Sequence, residues 1–416
     1  MLYLTQSSTF IIGDIAKLMG VIMNGIFEGL NAIGIANIGL AIIIFTIVVK
    51  LLMLPLTIKQ QKFSKMSSVM NPEIQAIQKK YKGKSDSDSI AKMNEETRNV
   101  YAKYGTSPTG GCLQMLIQMP ILFALYAVIR SIPAYVPTLK GYFLNILNGP
   151  GGNDGLFSIA GFAEKMKETF SLGFDCVAEN TNQIIDALNT FTTDQWNTLA
   201  STFSDKADLI NSNLEHINHV NNFFGINLSQ APGLVFGLPI LIPILAGLTQ
   251  YISVKLMSVK NSNDEDNPAA ASMKMMNMVM PIMSALLAIT LPSGLGLYWI
   301  MTAVCQIVTQ LISNAYFEKL GIEGIIQKNL DKINKKRAKQ GLPPTKMAAA
   351  VKKNARSIDS AKEKVKSLEE KKAANDAKIK EIIDSTKYYK GDGEKKMSMA
   401  QKANMVSKFN EKNNSK

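Results

Sequence analysis

Cysteine is scarce in this 416-residue chain, with only Cys112, Cys176 and Cys305. Two of the three sit in apolar runs, which argues against a disulfide-stapled scaffold. Histidine is scarcer still. His216 and His219 are the only two, and Glu215 is the one carboxylate close to them. That donor set is too thin to call for a zinc centre. Charge is also low. Asp, Glu, Lys and Arg make up 19% of the chain, against about a quarter in ordinary soluble domains. The shortage is uneven. The last hundred residues hold 26 Lys and Arg against 13 Asp and Glu, so this tail carries the whole net charge of +13. A uniformly soluble enzyme is excluded, and so is a nucleic-acid protein with basic charge spread over its fold. Catalytic constellations are missing too. No acid pair lies in an apolar run, and there is no Ser/His pair, no His-Glu-x-x-His and no Gly-x-x-x-x-Gly-Lys-Ser loop. The sequence therefore calls for no catalytic residue, no metal and no cofactor.

What the chain has in abundance is long apolar runs. A run of about 18 or more residues reads as a membrane span. Five such stretches are expected, at roughly 36–58, 108–131, 234–256, 274–291 and 295–315. The fold class is then an all-α polytopic membrane protein. Lys and Arg near span ends set the orientation. Segment 59–107 has ten of them, whereas segment 132–233 has four against ten Asp and Glu. The first is expected in the cytoplasm and the second outside. The 257–273 loop and the 316–416 tail then fall inside, and residues 1–35 outside. Residues 10–34 are apolar enough for a sixth span. Asp14, Lys17, Asn24, Glu28 and Asn31 nevertheless recur on one helical face, the pattern of an interfacial amphipathic helix.

Segment 59–107 reads as a helical hairpin. One helix spans Lys59–Tyr81 with a kink at Asn71-Pro72. A turn follows at 82–86, then a helix over Ser87–Tyr104 capped by Asp86 or Asp88. It is either a solvated hairpin or a substrate-handling one. The 132–233 segment is a small subdomain or a long loop. In the tail a weak heptad runs through Val351, Ile358, Val365, Leu368, Ile379 and Ile382. Polar residues at the alternate seam positions weaken any coiled coil, and the excess of lysine fits attraction to RNA or anionic lipid.

Lys50 stands out, because a cation within an apolar span is costly and usually faces a polar cavity. The alternative is snorkelling to the headgroups. Thr46 lies one turn earlier on the same face. Gln114 and Gln118 form a similar pair in the second span. Thr302, Gln306 and Gln310 form a third polar stripe in the last span, just after Tyr298 and Trp299. Polar faces on three helices need a common destination, either an inward groove or ordinary interhelical hydrogen bonds worth ~1 kcal/mol each. Met273, Met275, Met276, Met278, Met280 and Met283 form a run more readily explained by packing than by soft-metal binding, with adaptable contact to varied apolar partners as a third reading.

Four stretches then carry a resemblance. The first is Thr46-Ile-Val-Val-Lys50-Leu-Leu-Met-Leu-Pro55-Leu-Thr57, and the second is Met70-Asn-Pro72-Glu-Ile-Gln-Ala-Ile. The third is Pro108-Thr-Gly-Gly-Cys112 with Ile117-Gln-Met-Pro-Ile121 and Ala124-Leu-Tyr126. The fourth is Met280-Pro281 with Pro292-Ser-Gly-Leu-Gly-Leu-Tyr298-Trp299. In this order they resemble the YidC/Oxa/Alb family of membrane protein insertases, in its bacterial, Gram-positive-like form. The likeness covers about 36–131 and 234–315.

The resemblance implies a five-helix core with an outer amphipathic helix and an inner hairpin. It also implies a groove open to cytosol and lipid and closed externally. Lys50 matches the family's groove cation, usually Arg, so the charge is kept and the bidentate fork is lost. Thr46 matches a groove threonine, and Tyr298-Trp299 an aromatic pair that meets the inserting segment. The implied function is ATP-independent insertion and chaperoning of nascent membrane proteins in the bacterial cell membrane. Implied partners are the nascent chain, the lipid bilayer, the ribosome through the basic tail, and the Sec translocon in those members that work beside it. A small-solute transporter or channel is the competing class, and it would be marked by an inverted repeat; none is visible. A scaffold that recruits partners through the tail is the third.

Overall fold

A computed structural model describes residues 12–106, 112–234, 237–257 and 268–341, with isolated positions beyond. The described residues are helical almost throughout. In order come α1 (Ile12–Ala32), α2 (Ile38–Leu52), α3 (Leu54–Lys80), α4 (Ser87–Lys103) and α5 (Cys112–Arg130). Five short helices follow: α6 (Pro137–Asn148), α7 (Phe162–Phe170), α8 (Thr181–Asn189), α9 (Thr193–Thr202) and α10 (Ala207–Asn221). A hairpin of β1 (Asn222–Phe223) and β2 (Ile226–Asn227) precedes α11 (Leu241–Met257), α12 (Pro268–Thr290) and α13 (Ser293–Lys339).

Two helices are long and apolar enough to cross a membrane, Leu238–Met257 and Ser293–Lys339. The bent pair Ile38–Leu52 and Leu54–Ser67 counts as a third if taken as one span, while the apolar stretches Gln118–Arg130 and Met278–Thr290 are shorter. Among the described residues, then, two or three helices meet the length test where five were expected. Their outward faces are apolar. Ile244, Leu248 and Tyr251 of α11, Ile282 and Leu286 of α12, and Leu311 and Ile312 of α13 are all exposed. A continuous apolar surface of this kind is matched by lipid rather than by water. Helices come close where side chains are small. A Cβ on Gly296 would strike Ile242, and one on Gly247 would meet Ala285 at 3.1 Å. Small residues take this role in helix pairs that gain nothing from excluding water.

The helix at the first expected span is shorter than its apolar run. Asn37 caps α2, accepting from Leu40 N at 3.1 Å and donating to Asn222 O at 2.7 Å. The helix stops at Leu52, and α3 leaves at 62°. Pro55 accounts for the break, since it offers no N–H to the Leu51 carbonyl and its ring would collide with it. The expected continuation to Ile58 belongs to α3 instead. Pro72, where a kink was expected, lies within α3, which runs on through it without interruption. Asp86 is the cap of α4, accepting from Ser89 N at 2.8 Å.

The last helix is longer than its apolar run. The expected span ends at 315, yet α13 continues to Lys339 through a bend at Gly321 (φ 68°, ψ 162°). Beyond the bend Ile322, Ile325, Ile326 and Leu330 are buried. This segment packs on α3, and Gly105, just after α4, lies against Asn329 and Leu330. Met66, Val69, Met70, Val100 and Tyr104 are buried as well. The α3–α4 hairpin is therefore packed rather than merely solvated. Tyr104 donates to Glu73 at 2.5 Å, while Lys80 and Tyr81 both donate to Glu96. The tail heptad from Val351 to Ile382 and most of the 257–273 loop lie outside the described residues.

The N-terminal helix buries Ala16, Met19, Met23, Phe27 and Leu30 against α5 and α2. Its polar stripe flanks that face. Asp14 and Lys17 are exposed, whereas Glu28 is half-buried and accepts from Thr138 of α6 at 2.5 Å.

Segment 132–233 is a folded subdomain. Its core gathers Leu139, Phe143, Ile184, Leu188, Trp196 and Phe203. Each fully buried side chain of this size contributes roughly 1.5–3 kcal/mol. A capping box between Thr192 and Gln195 starts α9. His216 stacks on Tyr142 at 5.1 Å. Burial and the neighbouring Asp175 carboxylate push the Cys176 thiol up to about 11, which makes it unreactive at neutral pH. The end of the subdomain is fastened to the spans. Ser293 N and Oγ each donate to Gln230 O at 2.8 Å, Gly294 N donates to Leu228 O at 2.9 Å, and Gly233 N donates to Ile289 O at 3.1 Å.

Candidate functional site

The apolar α2 carries two of the expected polar residues, one turn apart. Thr46 is fully buried, and its hydroxyl donates to Ile42 O at 2.6 Å. That bond satisfies the hydroxyl within its own helix, a common arrangement for Thr in apolar surroundings. Lys50 comes one turn later and is half-buried. It lies within electrostatic reach of Cys305 on α13, the helix packed along α2. Among the described residues Lys50 makes no ion pair. A cation held in an apolar layer without an anion is the most costly feature of the site.

The α13 face is built from the expected stripe and its neighbours. Tyr298 is buried in the main apolar cluster, and Trp299 packs half-exposed against that cluster. Thr302 Oγ1 is buried and faces Tyr298 without a partner that meets hydrogen-bond geometry. Gln306 reaches α11, where its Nε2 donates to Met257 Sδ at 2.8 Å. Gln310 bonds to Asn314 at 3.1 Å. Gln118 is half-buried on α5. The side chain of Gln114 lies outside the described residues. The structure thus brings Lys50 beside α13 and Thr302 beside Tyr298, but directs Gln306 toward α11. The reading from sequence missed Cys305 as the neighbour of Lys50. It also missed Gln61 of α3, which is 5% exposed with an orphan Oε1. No local signal points to either. The methionine run behaves differently from the packing expectation. Met275, Met278, Met280 and Met283 are exposed, while the side chains of Met273 and Met276 lie outside the described residues.

Helices long and apolar enough to cross a bilayer, with apolar outward faces, define an integral membrane protein. Residues 30–320 match the family model described as 60Kd inner membrane protein. The chain belongs to that family, the YidC/Oxa/Alb proteins. It is 29% identical over 265 residues to a protein of Halalkalibacterium halodurans named membrane protein insertase YidC 1, covering 64% of this chain and 65% of the relative. It is 27% identical to membrane protein insertase MisCA of Bacillus subtilis, covering 64% and 66%. Over a shorter stretch of 125 residues it is 39% identical to membrane protein insertase YidC of Fusobacterium nucleatum, covering 28% of this chain and 58% of that protein. The chain thus spans about two thirds of the first of these relatives.

Proposed function

We propose that this protein is a membrane protein insertase and chaperone, working without ATP hydrolysis. Nascent apolar segments would pass from the cytosol into the bilayer along a polar, positively charged groove. The observation that carries the reading is Lys50, half-buried in α2 with no anion paired to it among the described residues. An acidic or polar flank of the client supplies that partner during transit. Each unsatisfied polar group in hydrocarbon costs several kcal/mol, so a hydrated, charged waystation lowers the barrier. Thr46 shapes the wall beside Lys50 and Gln118 faces the path. Trp299, half-exposed, guides the apolar part, with Tyr298 packed in the core behind it and Thr302 and Gln306 one and two turns further along α13. The exposed methionines of α12 offer an adaptable apolar surface.

The architecture in this reading is five spans within α2, α5, α11, α12 and α13, with α1 at the outer interface and the α3–α4 hairpin in the cytoplasm. The N-terminus is outside. The C-terminus is inside, where the basic tail favours the ribosome. The relatives' names support the activity, and the excess of Lys and Arg in 59–107 supports the orientation. The test is reconstitution. Purified protein in liposomes should confer protease-protected insertion of a short single-span client without leak of an entrapped dye. Leak or solute flux without insertion would favour a channel.

A further inference from the structure

The β1–β2 hairpin combines two unfavourable choices at its tip. Its two-residue turn is Phe224-Gly225, with φ of 50° and 82°. Both positions therefore need the left-handed region, which favours Asn-Gly and disfavours a bulky aromatic. The Phe224 ring is also 84% exposed. Apart from an edge contact with Phe223 at 4.7 Å, it buries almost nothing within the protein. A residue that strains the turn and contributes little to the fold calls for a contact outside the chain.

The position of the hairpin identifies that contact. Asn222 O accepts from Asn37, the cap at the start of α2. Phe223 lies directly over Gly39, where a Cβ would strike the ring. Gly225 is held against Leu238, at the start of the α11 span. The tip is thus fixed at the level where two apolar helices begin. Its surroundings at that level are apolar and exposed. Ile33 and Ile35 precede Asn37, and Leu234 and Leu238 precede α11. Amphipathic surfaces at this depth meet the boundary between headgroups and acyl chains.

We infer that Phe224 anchors the 132–233 subdomain in the outer leaflet, its ring seated in lipid at the headgroup–acyl boundary. The subdomain would then rest on the membrane as well as being tied to the spans. This inference rests on the span assignment proposed above. Asn37, Gly225 and the Ser293–Gln230 bonds hold the hairpin in register, while Phe224, Leu234 and Leu238 form the contact with lipid.

The experiment places the photoreactive residue p-benzoylphenylalanine at Phe224, or at Leu248 on the exposed face of α11. Each full-length protein is reconstituted in phosphatidylethanolamine–phosphatidylglycerol liposomes with tritiated acyl chains and irradiated. Light-dependent lipid label at both positions is expected. Label at 248 but not at 224 would overturn the anchor and leave the span assignment standing. Absence of label at both would overturn the membrane reading itself. A crosslink from 224 to a second copy or to another protein in place of lipid would also refute the inference. Phe224→Asn separates the anchor from turn geometry. Asn suits the turn better, so a local structural role expects amide exchange in 222–228 to slow. The anchor expects that exchange to quicken in liposomes, while in detergent it slows.

Discussion

Asp186 supplies the most quantitative test of the subdomain. It lies on α8, 6% exposed, and its Oδ2 has no hydrogen-bond partner. Burial pushes its carboxyl up to about 7 from 3.8. A hydrogen bond from Ser131 and the charges of Arg130 and Lys140 offset only part of that shift. Below the unfolded value both states are protonated, so Asp186 adds no pH dependence. Between about 4 and 7 the folded chain keeps a proton that the unfolded chain has released, so stability falls by ~1.4 kcal/mol per pH unit as pH rises. Above 7 the full loss, about 4 kcal/mol as an upper bound, has accrued. Asp186→Asn removes the ionisation while keeping size and polarity. At pH 8 the variant should be the more stable protein, and at pH 5 the difference should shrink. The readout is hydrogen exchange of the α6–α10 amides, corrected for intrinsic rate, at pH 5, 6.5 and 8. Protection should rise by up to roughly a thousandfold in the variant at pH 8. A wild-type subdomain equally protected at all three values, or a variant weakened at pH 8, would refute the reasoning.

Other perturbations probe how the parts are joined. Gly39→Ala forces a Cβ into the Phe223 ring and should lower stability by about 1–3 kcal/mol. Adding Phe223→Ala should recover part of that loss, as measured by thermal aggregation in detergent. Leu330→Ala opens a void between α13 and the hairpin. A cost of roughly 2–4 kcal/mol should appear as faster proteolysis at 82–86, with the 132–233 region unaffected. Ser293→Ala removes one of two hydrogen bonds to Gln230 O. Loss of ~1 kcal/mol should appear as quicker exchange of the backbone amides at positions 293 and 294.

The apolar helices were legible because hydrocarbon demands length and excludes charge, and both are visible in any sequence window. Their ends were less so. Pro55 was in plain view, yet Leu54–Ile58 is apolar enough to pass for the span's continuation. On α13 the stripe Ile322, Ile325, Ile326 and Leu330 has helical spacing, but the surrounding lysines made it read as tail. Only the partner surface of α3 and Gly105 explains why it folds back after Gly321. The 132–233 subdomain was obscured because its helices are short and their burial is collective. Phe143 and Trp196, 53 residues apart, share one core. The site shows the same division. Lys50 announced itself as a charge in an apolar run. Its neighbour Cys305 could be found only by bringing α2 and α13 together, and the orphan oxygen of Gln61 is likewise a property of tertiary packing.

The measurement that tests the central claim most directly is a charge exchange in the reconstituted system. Insertion rates would be compared for one single-span client with an acidic flank and for its counterpart with that flank made basic. Wild-type protein should favour the acidic client by about tenfold, the effect of a partly screened charge pair worth ~1.4 kcal/mol. Lys50→Arg should keep the preference, Lys50→Ala should abolish it, and Lys50→Glu should reverse it. An unchanged preference across all four proteins would contradict a groove that works through the charge of Lys50.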